Sequence, residues 1–423
     1  MKTLNKQACW NWTLLSLFFA YQYILRVYPS VFTDEIRETF HFSANEFSTL
    51  STYCICIYSC LQIPFGLLLD RWSVRWLIIC SLSLCLIGQH LFTHTDIQWV
   101  AQLGRILIGI GAAPAFMSAA KIASDSFPDK ICGLLIGITC TIGMLAIMIG
   151  SHYLGEVVAH GLSWQQAVDR LSIIGIILLI TLIFTLSKDK TSKSNPSQED
   201  SSSFMQTLLS VLSNRKILLY ALLTIGTCSV VNTLSDLWGP TFLSVKYHLS
   251  ILEAVHYNQI IFAGLMIGSF LLPALFGASK YTFRGVRTCY FTLICIFIFF
   301  IYGSDIVHPT FLKLILFLAG IAACGDILCF ALVAQISTPQ TSGLTVGWVN
   351  TINMLGLSLL QKLVALSLDK HWSGTLNEHA LRIYQAGDYE CALETLLNVV
   401  IIGAVITCFM RSKHHNLKHQ ASK

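Results

Sequence analysis

Long apolar runs separated by polar breaks dominate the chain. Each run approaches the ~20 residues that an α-helix needs to cross the hydrocarbon core of a bilayer. Twelve qualify, over residues 11–32, 47–69, 76–93, 99–122, 131–154, 168–187, 216–238, 254–277, 287–303, 311–334, 343–366 and 391–410. The pattern predicts an all-α polytopic membrane protein. The longest polar stretch, Lys188 to Ser213, opens KDKTSKSNPSQEDSSS and separates six runs from six. It reads as a flexible linker. The expected organisation is a six-helix bundle over 1–187, a cytoplasmic linker over 188–213, and a second six-helix bundle over 214–423 ending in a basic cytoplasmic tail. The first run has no small-residue cleavage site, so it is expected to be a first span and not a removable signal.

Composition narrows the classes. Of 423 residues, 12% are charged and 54% are apolar, against about 25% charged in soluble chains. With a mean hydropathy of +0.66, too few charges exist to cover a soluble surface. Disorder, coiled coil, collagen and a small disulfide scaffold fall on the same ground. Most of the fifteen cysteines lie inside apolar runs, where they act as small hydrophobes. With no CxxC or Cys/His spacing, neither disulfide nor metal is expected.

The net charge of +5 matters less than its placement. With a cytoplasmic N-terminus, 18 basic residues fall on the cytoplasmic side and 7 outside, leaving Arg26 and Arg105 within spans. That asymmetry is the positive-inside signal. Basic residues form no stripe that would meet nucleic acid; their partner is the lipid bilayer. Tryptophans near the run ends (Trp10, Trp12, Trp72, Trp76, Trp99, Trp164, Trp372) suit the interfaces.

The two halves repeat at an offset near 210. GLLIGITCTIGML from Gly133 and GLTVGWVNTINML from Gly343 share seven of thirteen positions. Pro64 faces Pro273, and Pro29-Ser30 faces Pro240-Thr241. An even number of spans per half makes the repeat parallel, the construction of transporters in which two bundles rock about a central site.

The loop after the second run reads GLLLDRWSVRW from Gly66. Here the chain resembles the major facilitator superfamily, whose loop runs Gly-x-x-x-Asp-Arg/Lys-x-Gly-x-Arg/Lys. Gly66, Asp70, Arg71 and Arg75 match; Ser73 replaces the second glycine, and Ser279 stands where a second-half copy of Asp70 would be. The resemblance implies a loop that latches one conformation, and places spans 1, 4, 7 and 10 nearest the centre. A merely positive-inside loop is the plainer reading. RILIGIGAAPAF from Arg105 resembles the family's Arg-x-x-x-Gly-x-Gly pattern. Arg105 has either a structural role or one in proton coupling. The glycines of the fifth run suit helix packing.

Arg26 is the leading substrate-binding candidate. It lies in YQYILRVYPSVF with Gln22 and Tyr23 one turn earlier on the same face. A guanidinium in lipid is costly, so it should face a cavity; its planar fork fits a carboxylate or a phosphate. The alternative is that it snorkels at the outer interface. The surrounding sequence, with LWGPTF from Leu237 and YQAGDYECAL from Tyr384, resembles the anion:cation symporters and the phagosomal nutrient transporters of intracellular bacteria. That likeness implies an amino-acid or nucleoside importer, and Arg26 makes a carboxylate-bearing solute the leading expectation.

In the second half, Asn232 and Asp236 stand one turn apart, as do Asn350 and Asn353. They line the cavity or hydrogen-bond between helices. Tyr53, Tyr257 and Trp238 are further lining candidates, with plain packing as the alternative. Asp326 lies in an apolar run, where a desolvated carboxylate exchanges a proton near neutrality; it is the proton-coupling candidate, against a helix-end cap or a lysine pair.

No phosphate-binding loop appears, no cofactor is expected, and no nucleophile–base constellation supports an enzyme. The expected protein is a monomeric secondary transporter in a bacterial inner membrane, moving a small polar solute against a coupling ion, the proton first. Efflux of amphiphilic compounds and a non-transporting solute sensor are the other readings.

Overall fold

A computed structural model describes residues 6–186, 209–277, 281–337, 341–378 and 381–410. Most of the expected linker lies outside them. Among the described residues, helices account for nearly everything; a lone antiparallel bridge joins Leu376 to Arg382. The helices are α1 (Lys6–Val27), the short α2 (Thr33–Phe40) and α3 (Ala44–Arg71). There follow α4 (Val74–Thr93), α5 (Gln98–Ser126), α6 (Asp129–Ala159), α7 (Trp164–Thr185) and α8 (Arg215–Tyr247). Then come α9 (Ile251–Phe276), α10 (Thr282–Tyr302), α11 (Pro309–Ala334), α12 (Ser342–His371) and α13 (Ala386–Phe409).

Ten of these, α4 to α13, are long and apolar enough to cross a membrane. At 22 and 28 residues, α1 and α3 match them in length but carry more polar groups. Those groups turn inward: Gln22 and Arg26 on α1, and Ser48, Ser51, Ser59 and Gln62 on α3, are all buried.

Two faces are fixed by end-to-end contacts. Gln7 at the start of α1 donates to the Thr185 carbonyl at the end of α7 (3.2 Å), and Arg75 reaches the Ile183 carbonyl. Arg287 at the start of α10 donates twice to the Thr407 carbonyl near the end of α13. This is the terminal face. On the opposite, far face, three helices begin with the same reciprocal cap, in which a serine or its backbone trades hydrogen bonds with the residue three ahead: Ser43–Glu46, Ser163–Gln166 and Ser250–Glu253.

The repeat is visible in the backbone. Gly109 of α5 lies so close to α3 that a Cβ would come 2.5 Å from the Cys54 carbonyl oxygen. In the second half, a Cβ on Gly320 of α11 would meet the Ile261 carbonyl of α9 at 2.1 Å. Small residues permit both approaches. α5 breaks at Pro114 and α11 at Cys324, corresponding places in the two halves. The long helices α6 and α12, of 31 and 30 residues, carry Gly133 and Gly343 near their starts. Each crosses to the other half, α6 against α9 and α12 against α3.

One boundary differs in a way that matters. The seventh apolar run was expected to end at residue 238, but α8 continues to Tyr247. Wide π-helical turns at Ile225–Ser229 and Leu234–Trp238 precede Gly239 and Pro240, and Pro240 falls in the first turn of the next helical segment, where its missing N–H costs nothing. The proline therefore does not stop the helix, and Asp236 sits mid-helix instead of at its end.

Candidate functional site

Asp236 stands about eleven residues from the far end of α8, roughly 16 Å at 1.5 Å per residue. That is about half the ~30 Å hydrocarbon core. Arg26 lies at the same depth. α1 ends at Val27, yet the chain runs on through the 3-10 turn Tyr28–Ser30 and α2, so the end of α1 is not the far interface. Arg26 is buried in the bundle centre, not extended toward headgroups.

There the two charges meet: Arg26 Nη2 lies 2.9 Å from Asp236 Oδ2, with 8% and 0% of the side chains exposed. The Tyr23 ring supports the guanidinium at 4.2 Å. The contact has the distance of an ion pair but not the direction of a hydrogen bond. Arg26 Nε and Nη2 and both Asp236 oxygens complete no hydrogen bond. Gln22 Nε2, Asn232 Oδ1, Ser235 Oγ and both amide atoms of Gln361 are in the same condition. Buried polar atoms are nearly always paired, so this set is anomalous. Beside the pair lies a cavity of about 10 Å³ bordered by Gln22, Arg26, Cys54, Ile55, Tyr58, Ile108, Ala112 and Met354. That is room for about one water; a solute needs the halves to part.

Arg105 is fully buried on α5. Its Nη1 donates to the Leu25 carbonyl (2.8 Å), Nη2 to the Arg26 carbonyl (3.4 Å) and Nε to the Leu50 carbonyl (3.4 Å). Pro29 ends the regular helix, leaving those α1 carbonyls without helical partners. Arg105 replaces them, and so positions the turn that carries Arg26.

The asparagines separate. Asn350 Nδ2 donates to Gln62 Oε1 across the two halves (2.7 Å). Asn353 accepts from Ser229 Oγ within the second half (2.6 Å). Asn232 donates only to Cys228 Sγ (3.4 Å). Trp238 is buried, donating to the Gln361 carbonyl and packing edge-on against Phe47 of α3.

Two aromatics lie elsewhere than expected. Tyr53 is 39% exposed on the outer side of α3, one of the exposed positions 46, 53 and 60 that recur every seven residues. Tyr58 takes the inner place, because it follows Cys54 by one turn. Tyr257 packs under Lys313 Nζ, 5.4 Å from its ring centre, away from the ion pair; Asn258, its neighbour, points inward and donates to the Ser235 carbonyl. Asp326 stands in the first turn after the break at Cys324. Gly66 faces Met117 of α5, and Arg75 reaches Ile183 as above; the side chains of Asp70 and Arg71 lie outside the described residues. Sequence reading missed Tyr58, Met354, Gln361 and Ser235. The signal that would have paired Arg26 with Asp236 is their spacing of 210 residues, the offset of the repeat.

A charged centre buried between two repeated helical bundles defines a membrane solute transporter. The Major Facilitator Superfamily matches residues 13–360, and the chain belongs to that family. It is 22% identical over 417 residues to the uncharacterized transporter YybO of Bacillus subtilis, covering 93% of each chain. It is 29% identical over 171 residues to the probable L-galactonate transporter of Escherichia coli, covering 40% of this chain and 37% of that protein. Among solved structures, it superposes on a bacterial homolog of the human lysosomal transporter Spinster, inward-facing and occupied, with a TM-score of 0.76 at 16% identity, covering 96% and 97% of the two chains.

Proposed function

We propose that the protein imports a small carboxylate-bearing solute by alternating access, coupled to protons. The observation that carries this reading is the Arg26–Asp236 pair with its uncompleted hydrogen bonds. A solute carboxylate displaces the Asp236 carboxylate from the guanidinium and takes both prongs of its fork. Asp236 is then an unpaired buried acid. It takes either the ammonium group of an amino acid or a proton, and each removes the cost of leaving it charged. An amino acid satisfies both partners at once, whereas an organic anion satisfies Arg26 and leaves Asp236 to the proton. The probable L-galactonate transporter is named for a carboxylate-bearing solute, which is consistent with this class.

In this reading 1–187 and 214–423 are the two moving bodies, the termini are cytoplasmic, the membrane is a bacterial inner membrane, and a monomer suffices. Asn232, Gln22, Tyr58 and Asn353 line the solute path. Asp326 is the second proton candidate. The test is thermal stabilisation of purified protein by amino acids, dicarboxylates, nucleosides and sugars, followed by counterflow in proteoliposomes. A specific ligand raises the melting temperature by mass action. Ligands without a carboxylate stabilising the protein equally in wild type and Arg26→Lys would exclude the reading.

A further inference from the structure

The far face is closed by residues that the solute site does not use. The Ser43–Glu46 cap satisfies the α3 start only in part. Two first-turn donors remain, and both find acceptors in the other half of the chain. Ala44 N–H donates to the Tyr384 hydroxyl (3.0 Å), and Asn45 N–H donates to Asp369 Oδ2 at the end of α12 (2.9 Å). The other carboxylate oxygen of Asp369 accepts from Tyr384 and from Arg382 Nη1 (3.1 Å). Lys362, two turns earlier on α12, donates to the Asn45 carbonyl and to Thr49. Arg37 of α2 donates to the Arg382 carbonyl (2.7 Å).

We propose that Asp369 is the positioning residue that holds the far-side gate shut. Its carboxylate completes the start of α3 from across the interface, and its charge lies at the positive end of that helix. The contact exists only while the halves meet on the far face. The repeat-related junction, α6 with α9, closes differently: Leu252 sits against Gly155, the ring nitrogens of His152 and His256 share a hydrogen bond, and the other nitrogen of His152 faces Glu156 at 3.4 Å. The gate thus has one side where a carboxylate completes a helix start across the interface and one where a histidine pair meets across the packed helices. The bias set by Asp369 is independent of which solute is carried.

Hydrogen–deuterium exchange of the full chain in lipid nanodiscs tests it, with Asp369→Asn, which keeps shape and loses charge, and Tyr384→Phe, which keeps the ring and loses the bridge. Lost local bonds alone would speed exchange near 44–49 and 384–388. A gate acts at a distance. Asp369→Asn is expected to speed exchange about tenfold in peptides 152–157 and 251–256, which Asp369 does not touch, and to slow it at the terminal-face ends of α5 and α11. Tyr384→Phe should shift the same peptides in the same directions, by less. Acceleration confined to 44–49 and 384–388 in either variant would overturn the proposal, as would no change at all.

Discussion

Arg26 and Asp236 come from the two halves of the chain and meet 2.9 Å apart, fully inside the bundle, without a directed hydrogen bond between them. The pair joins the two halves by charge at the bundle centre. Its energetics follow from burial. Attraction between two desolvated ions roughly offsets their dehydration, while removing one ion strands the other.

Asp236→Asn should therefore lower stability by about 3–5 kcal/mol, read as a drop in melting temperature in detergent. The double variant Arg26→Met with Asp236→Leu should recover most of that loss and bind no solute. A single variant as stable as wild type would mean that the pair is already hydrated.

Arg105→Lys keeps the charge and loses the fork that reaches three carbonyls. Its effect on solute affinity should be indirect, about tenfold weaker binding with the melting temperature also lowered. Calorimetric binding and thermal unfolding on the same sample check this. Unchanged affinity would detach Arg105 from the turn that carries Arg26.

Gly320→Ala places a Cβ 2.1 Å from the Ile261 carbonyl, where backbone must yield. A loss of about 1–3 kcal/mol is expected, visible in thermal unfolding. Gly347→Ala is the control, since a Cβ there meets nothing within 4 Å.

For the coupled proton, Asp236→Asn and Asp326→Asn separate the candidates. The variant that abolishes pH-driven accumulation while sparing exchange of solute across the membrane identifies the carrier. If both accumulate normally, the coupling ion is not a proton held at either acid.

On the far face, burial together with the charges of Asp34 and Glu38 pushes the Glu35 carboxyl on α2 up to about 7. Between its ordinary 4.5 and that value, the folded protein holds a proton that the unfolded chain releases. Stability therefore falls as pH rises through this window. Glu35→Gln should flatten that part of the melting-temperature profile, and a profile identical to wild type would refute the shift.

Much of the architecture was legible because lipid leaves few solutions: each apolar run of sufficient length becomes a helix. The repeat was legible from Gly133 and Gly343, which do open corresponding helices. The end of α8 was not, because Gly239-Pro240 reads as a stop unless the π-turn before it is known. The choice between Tyr53 and Tyr58 was likewise hidden. Both are plausible linings by type, and only the direction in which α3 faces its neighbours separates them. Asp369 gave no signal at all, since its partner is a backbone N–H more than three hundred positions away.

The central pair also says something about ancestry. Were the halves identical subunits around a twofold axis, the positions of Arg26 and Asp236 would hold the same residue, and two like charges would collide on the axis. A single chain whose two copies diverge can place unlike charges there. Symmetry gives such a protein two matching halves, and the broken symmetry at its centre joins them through unlike charges that identical halves could not supply.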